Sequence, residues 1–420
     1  MSGKRITFFN VVAILSVSFM YMAVGSLLAP ALNAIAESFP DSPFTTVQLV
    51  MTSSYLTIAL FSLVSGALAS KFSRKAIAEV GLLIYGVSAL VGANLGDLTL
   101  LIVDRFIMGA GCGLLLPQAT AIIVDLFDGQ KRERMLGFST GVANFGALLG
   151  SLVGGYFAAI DWSLNFYGFA ITLVIFIIVL FGVPKMPVGK GGSIGENVAD
   201  DGAAAAGESL GAASAESVTA STPRSSKGMP SFLIVLAIAM FFVQVYGLTT
   251  PTNMAKYYLT VLHGPAELLG VTMAAMTFFA FVAGFVLVYV RKLFRSYTPV
   301  VACLLTGCGF VLLSQATSWE MALASNVLIG FANGVLMPCI FVKNAELVSP
   351  AQRNMSTAVI TCGMYLGEFV CPYLQQFGNF VMGDSSQAAM FLFFGIAAFA
   401  ITVLVLGCIV FFNRRKATRA

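Results

Sequence analysis

Long apolar runs broken by short polar turns recur along the whole chain, each near the ~20 residues an α-helix needs to cross a bilayer. They predict spans near 6–31, 45–69, 76–95, 98–127, 135–159, 164–183, 231–262, 266–290, 297–316, 320–348, 354–382 and 387–412. Connections such as Pro40-Asp41-Ser42-Pro43 and Gly383-Asp384-Ser385-Ser386 are turn sequences that suit neighbouring antiparallel helices. Lys4 and Arg5 head the first run, which is far longer than the about 7–15 residues of a signal-peptide core and reads as a span. One connection differs. From Lys185 to Pro230 the chain turns to Gly, Ala and Ser with scattered acids and hardly a large apolar residue, so it cannot offset its ordering entropy by burial. The expected organisation is a six-helix half (1–184), a flexible cytoplasmic linker (185–230), a second six-helix half (231–413) and a basic cytoplasmic tail (414–420). The predicted fold class is an all-α polytopic membrane protein with twelve transmembrane helices in two six-helix repeats.

Composition agrees, with 58% hydrophobic and 10% charged residues against about 25% charged in soluble domains. The seven cysteines lie in apolar stretches without paired metal-ligand spacing, and His263 is the single histidine. Neither a Ser/His/Asp or Cys/His constellation nor a metal cluster can be assembled from these. No Gly-rich loop ending in Gly-Lys-Ser/Thr is present to bind a nucleotide. The expectation is therefore no enzyme, no cofactor and no metal.

Lysine and arginine alternate between connections. Lys71, Arg74 and Lys75, then Lys131, Arg132 and Arg134, the linker, Arg291, Lys292 and Arg295, and Arg353 all fall on one side with both termini. The opposite loops carry Glu37, Asp41, Asp97, Asp161, His263 and Asp384 but neither Lys nor Arg. The positive-inside rule then predicts a multi-pass plasma-membrane protein with both termini cytoplasmic. The net charge of +4 is a topology signal rather than a nucleic-acid footprint.

The two halves match at an offset of 330 − 109 = 221 residues. Gly109, Gly113 and Pro117 correspond to Gly330, Gly334 and Pro338; Asp125 to Glu346; Arg132 to Arg353; Gly146 to Gly367. Glycines four apart let membrane helices approach closely. Parallel six-span repeats with a solute site at their interface are a transporter construction.

Three local patterns carry a family resemblance. Gly66-Ala67-Leu68-Ala69-Ser70-Lys71-Phe72-Ser73-Arg74-Lys75 resembles a Gly-x-Leu-Ala-Asp-Arg-x-Gly-Arg-Lys signature, with Ser70 for Asp and Ser73 for Gly. Arg105-Phe106-Ile107-Met108-Gly109-Ala110-Gly111 is similar to an Arg-x-x-x-Gly-x-Gly stretch. Gly137, Gly146, Gly150, Gly154 and Gly155 reproduce a helix-packing glycine spacing, with Ser151 where proline is expected, Trp162 beyond, and Pro372 at Ser151's repeat position. Together they resemble the major facilitator superfamily, the last pattern its drug:proton antiporters. The resemblance implies alternating access with a small-molecule solute and protons as partners, in a bilayer, complete within one chain and hence working as a monomer.

Charges retained inside a bilayer cost about 2.5–3.5 kcal/mol each at the helix centre and so mark function or internal pairing. Glu368 falls at the middle of its span and is the leading candidate for proton coupling or for binding a cationic group. The plainer alternative is a buried carboxyl satisfied by Tyr365 or a neighbouring helix. Its repeat counterpart is Ala147. Arg105 lies about 12 Å outside its span centre; the resemblance implies coupling or outer closure, the alternative a buried cation with an acidic neighbour. Asp104 points about 100° away on a helix, so a different helix is expected to supply that partner.

Asp125 and Glu346 end spans within reach of Arg74 and Lys75, and of Arg291 and Lys292. By resemblance these are gating ion pairs that hold the outward-facing state and break in the inward one; otherwise they are ordinary interfacial charges. Lys256 and Lys343 lie roughly 14 Å from their span centres and can snorkel; Lys256 could line an outer vestibule and Lys343 could hold an organic anion. Tyr55, Asn144, Gln244, Tyr246, Asn333 and Tyr365 are candidate cavity residues, with core packing as the alternative for each.

Proton-coupled export of small amphiphilic or cationic molecules is the leading functional reading. Uptake or exchange of an organic anion, resting on Arg105, Lys256 and Lys343, is the alternative. A transport-dead sensor is a third.

Overall fold

A computed structural model describes residues 7–21, 23–127, 129–184, 231–348 and 350–417. The expected linker and the N-terminal Lys4 and Arg5 lie outside them. In a bilayer each backbone N–H and C=O must be satisfied within its own segment, and the apolar runs accordingly form helices. The first, α1, is segmented: Phe8–Tyr21, Ala23–Ser26, a 3₁₀ turn Ala29–Ala31, then Leu32–Ser38. Pro30 lacks the N–H that a continuous helix needs, which places the break there and carries the helix beyond the predicted end at 31.

There follow α2 (Phe44–Leu68), α3 (Arg74–Gly92), α4 (Leu98–Leu126), α5 (Gly129–Ile160) and α6, in two pieces, Ser163–Phe169 and Ile171–Gly182. The second half holds α7 (Ser231–Lys256, continuing as a π-helical turn Tyr257–Val261), α8 (Ala266–Phe294), α9 (Thr298–Ser314), α10 (Trp319–Leu347), α11 (Pro350–Met382) and α12 (Gln387–Ala417). The last helix runs through 417, so most of the expected tail continues it. Among the described residues ten stretches are long and apolar enough to cross a bilayer; one, Leu268–Ser314, contains both α8 and α9, and α1 completes twelve. Local signals begin several helices: Ser73 accepts from the Ala76 N–H and Asp97 from the Leu100 N–H, each an N-cap bond.

The sequence repeat is a repeat of contacts. A methyl group on Gly109 would collide with the Ser54 backbone of α2, and one on Gly330 with the Met276 backbone of α8. Gly146 lies against the Phe19 carbonyl of α1, and Gly367 against the Phe241 carbonyl of α7. Thus α4 packs on α2 and α5 on α1 just as α10 packs on α8 and α11 on α7.

The halves meet through α2 with α11 and α5 with α8. Gly155 supplies the tightest crossing, where an added methyl carbon would lie 2.6 Å from the Gly270 Cα. Gly150 and Gly154 press on α1 at Ser26 and Leu27. Gly137 differs from the expected packing role: it is exposed and nothing lies within 4 Å of where its side chain would be.

Candidate functional site

Between the halves lies a cavity of about 230 Å³, walled by α1, α2, α4 and α5 on one side and α7, α8, α10 and α11 on the other. Repeat-related positions face it in pairs: Asn144 with Tyr365, Ala147 with Glu368, Cys112 with Asn333, and Leu116 with Met337. Both halves contribute uncharged polar groups, Ser26, Tyr55, Asn144 and Ser151 from the first and Gln244, Thr277, Asn333 and Tyr365 from the second, and the asymmetry is the carboxylate of Glu368. Five predicted cavity residues, Tyr55, Asn144, Gln244, Asn333 and Tyr365, are brought together here around Glu368, the coupling candidate. Met51, Met273, Met276, Met337 and Met364 supply a pliable apolar lining.

Glu368 is the one charged side chain among the described residues of the lining. Gln244 Nε2 donates to its Oε1 at 2.7 Å. Its Oε2 is shielded and makes no hydrogen bond among the described residues. A carboxylate with one oxygen fixed and the other unsatisfied is poised to accept a proton or a donor from a solute, since an unmet buried acceptor costs about 1–3 kcal/mol, and more when charged.

The other predicted site residues lie elsewhere. Arg105 is fully buried and absent from the cavity wall. Its guanidinium stacks 4.5 Å from the centroid of Phe166 and 5.5 Å from that of Phe169, both on α6. Its Nη2 pairs with Asp104 Oδ2 at 3.0 Å, which corrects the expectation of a partner on another helix. The 100° offset separates the two Cα–Cβ vectors, but a long arginine can fold back toward a carboxylate that Ser88 Oγ on α3 anchors at 2.6 Å. Tyr246 leaves the cavity for an aromatic cluster with Phe310 and Phe394. Lys256 stacks on Phe44 at 4.6 Å, joining α7 to the start of α2 rather than lining a vestibule. Lys343 pairs with Glu346 at 2.9 Å.

At the end carrying the basic loops, Arg74 Nε pairs with Asp125 at 2.7 Å and Arg291 with Glu346 at 3.4 Å. Each pair joins two helices of the same half. Lys75 instead caps the end of α6, donating to the Leu180 and Val183 carbonyls at 2.7 and 2.6 Å. Lys292 makes no ion pair among the described residues. Both acid–base pairs are closed in this structure, and the direct tie between the halves lies at the opposite end.

The seal itself was not anticipated. Gln48 on α2 reaches across to the second half, its Nε2 lying 2.8 Å from Gln375 Oε1, 3.1 Å from Asn253 Oδ1 and 3.3 Å from the Thr252 carbonyl. Two hydrogens serve three acceptors. Gln375 in turn donates to Thr252 Oγ1 at 2.9 Å, and every member is buried. The Gly155–Gly270 crossing and the Lys256–Phe44 stack lie at this same end of the molecule.

Comparison with known proteins places this geometry. The family profile of the Major Facilitator Superfamily matches residues 14–316 and 232–420. The quinolone resistance protein NorA of Staphylococcus aureus is 28% identical over 146 residues, 34% of this chain and 38% of that protein. A triacylglyceride transporter of Mycolicibacterium smegmatis is 35% identical over 100 residues, 24% of this chain and 17% of that protein. The matched stretches therefore span well under half the length of these relatives. Among solved structures, a bacterial homologue of the human lysosomal transporter Spinster, inward-facing and occupied, superposes with a TM-score of 0.74 at 14% identity, covering 98% of each chain. A D-xylose–proton symporter superposes with a TM-score of 0.68 at 14% identity, covering 94% of this chain and 97% of that one. With a family match across both halves and a shared twelve-helix fold around one interfacial cavity, the chain belongs to the major facilitator superfamily of membrane transporters.

Proposed function

We propose that this transporter exports small amphiphilic or cationic organic molecules in exchange for protons, by alternating access of the central cavity. The observation that carries the reading is the half-satisfied carboxylate of Glu368, alone in an otherwise uncharged, methionine-rich chamber. One such group can hold a proton or a cationic solute but not both, and that competition is the logic of an exchanger. Pliable methionines suit solutes of varied shape. The partial similarity to a quinolone resistance protein supports the export direction.

In the proposed orientation the basic end faces the cytoplasm of a plasma-membrane monomer, with both termini on that side. The sealed end is then the outer one, and the conformation faces inward. The organic-anion alternative loses its basis in geometry, because Arg105, Lys256 and Lys343 all stand outside the central cavity.

The test is transport of ethidium and of radiolabelled benzoate by proteoliposomes carrying wild type or Glu368→Gln, with a pH gradient imposed or collapsed. Ethidium movement that needs the gradient in wild type and loses that dependence in the variant supports the reading. Benzoate exchange indifferent to protons and to Glu368→Gln would refute it.

A further inference from the structure

A second cavity, of about 310 Å³, lies inside the second half between α7, α9, α10 and α12. It arises where the repeat fails. In the first half α1 packs along α6: Asn10 Nδ2 donates to the Gly182 carbonyl at 2.6 Å, and Gly182 lies against Ala13. The corresponding helices α7 and α12 do not pack along one another in this way. Leu236, Ala239 and Val243 of α7 instead face Ala398, Ile401 and Val405 of α12 across an apolar slot.

The slot has a closed and an open end. Near the middle of the bilayer Tyr246 closes it, its ring 5.6 Å from Phe310 and 5.5 Å from Phe394. At the basic end its wall finishes at Pro299 and Lys343, the latter one residue before the apolar stretch Trp319–Asn344 ends. There Lys343 and Arg291 share the single carboxylate of Glu346, leaving one positive charge in surplus. A void of this size within a packed bundle forfeits contacts unless something apolar fills it. Its volume lies at the lower limit of ligand sites, about 300–1,000 Å³.

We propose that this slot holds one acyl chain of an anionic phospholipid from the leaflet at the basic end, with the lipid phosphate at Lys343. Depth, polarity and charge agree: the slot spans one leaflet, its wall is hydrocarbon, and the surplus cation sits where a phosphate would lie. Gly247 and Asn333 border this slot and the central cavity alike. The lipid chain therefore rests against the wall that carries the transport site, and occupancy tunes how α7 and α10 move. This inference does not depend on what the central cavity carries.

The test is native mass spectrometry of the full chain titrated with dioleoyl phosphatidylglycerol or dioleoyl phosphatidylcholine. Wild type is expected to retain one phosphatidylglycerol in preference to phosphatidylcholine. Lys343→Gln should reduce that preference about fivefold, the loss of one lysine–phosphate attraction at a membrane surface. Ala239→Phe, which fills the slot, should abolish retention of both lipids. Equal retention of the two lipids by wild type, or undiminished phosphatidylglycerol on a folded Ala239→Phe protein, would overturn the proposal. If Ala239→Phe fails to fold, Cys303 and Cys339, which line the slot, report instead. Their peptide-mapped maleimide labelling should fall in phosphatidylglycerol nanodiscs relative to phosphatidylcholine nanodiscs, and equal labelling counts against the site.

Discussion

Gln48 in the first half and Gln375 in the second are joined by a buried 2.8 Å hydrogen bond, although 327 residues separate them in the chain. It is a direct polar tie between the halves, and its place at the sealed end makes it a device for holding that end shut. Gln48→Leu keeps the bulk but takes the donor from Asn253 Oδ1 and leaves Gln375 Oε1 with Asn253 Nδ2 alone, at a cost of about 1–3 kcal/mol to the sealed state. Spin labels at Asp41 and Asp384, on exposed loops of that end, should show a longer distance component in the variant. An unchanged distance distribution would deny Gln48 this role.

The glycine crossing offers an independent handle on the same equilibrium. Gly155→Val would drive side-chain atoms into the Gly270 backbone, and overpacking of this kind costs about 1–3 kcal/mol. The sealed conformation should lose population by fivefold to more than a hundredfold, and turnover should drop with membrane insertion intact. Gly137→Ala meets open space and should transport as wild type does. A Gly137→Ala defect as large as that of Gly155→Val would show that the spacing, rather than the contact, is what matters.

Asp104 and Arg105 form a buried pair away from the cavity, so their substitution should first be read in stability. Asp104→Ala strands a fully buried guanidinium, a change worth about 3–5 kcal/mol, and should lower the melting temperature in detergent markedly. The double variant Asp104→Leu with Arg105→Met removes both charges and should recover most of that loss. A double variant that folds well yet fails to transport would return Arg105 to the mechanism.

Glu346 gives a pH signature at the basic end. Partial burial pushes its carboxyl up, but hydrogen bonding and charge from Lys343, then from Arg291, outweigh this and hold it below the ordinary 4.5. A depressed carboxyl contributes stability above its unfolded value and loses it as pH falls through the lower folded one. The melting temperature of wild type should exceed that of Glu346→Gln by a small margin at neutral pH, as befits a half-exposed pair. The margin should close as pH falls below about 4.5; a margin that persists there would mean that the ion pairs are not its source.

What could be read beforehand follows from how local each signal is. Helix spans were legible because burial in lipid demands long unbroken apolar runs, and Glu368 because a charge at mid-span is costly wherever it points. The Arg74–Asp125 pair was legible because the turn between α2 and α3 and the end of α4 must share one membrane face. Gln48 was not, since a glutamine in an apolar run carries no charge penalty to mark it and its partner is set by the docking of the halves. Arg105 was legible as a buried cation with an acidic neighbour, but its partner was misplaced for a different reason: residue spacing fixes where a helix position faces, but not how a long side chain folds back beneath aromatic rings. The slot between α7 and α12 leaves no trace in hydropathy, because its walls are as apolar as the lipid-facing helices around it.

The lone carboxylate of the central chamber also bears on energetics. In the proposed cycle Glu368 crosses the membrane neutralised, by a proton in one direction and by a monovalent organic cation in the other. Each complete exchange then moves no net charge, so the transmembrane voltage, worth about 2.3 kcal/mol per elementary charge at 100 mV, does no work on it. Such a pump draws on the pH difference alone, and a cell could depolarise without stopping it.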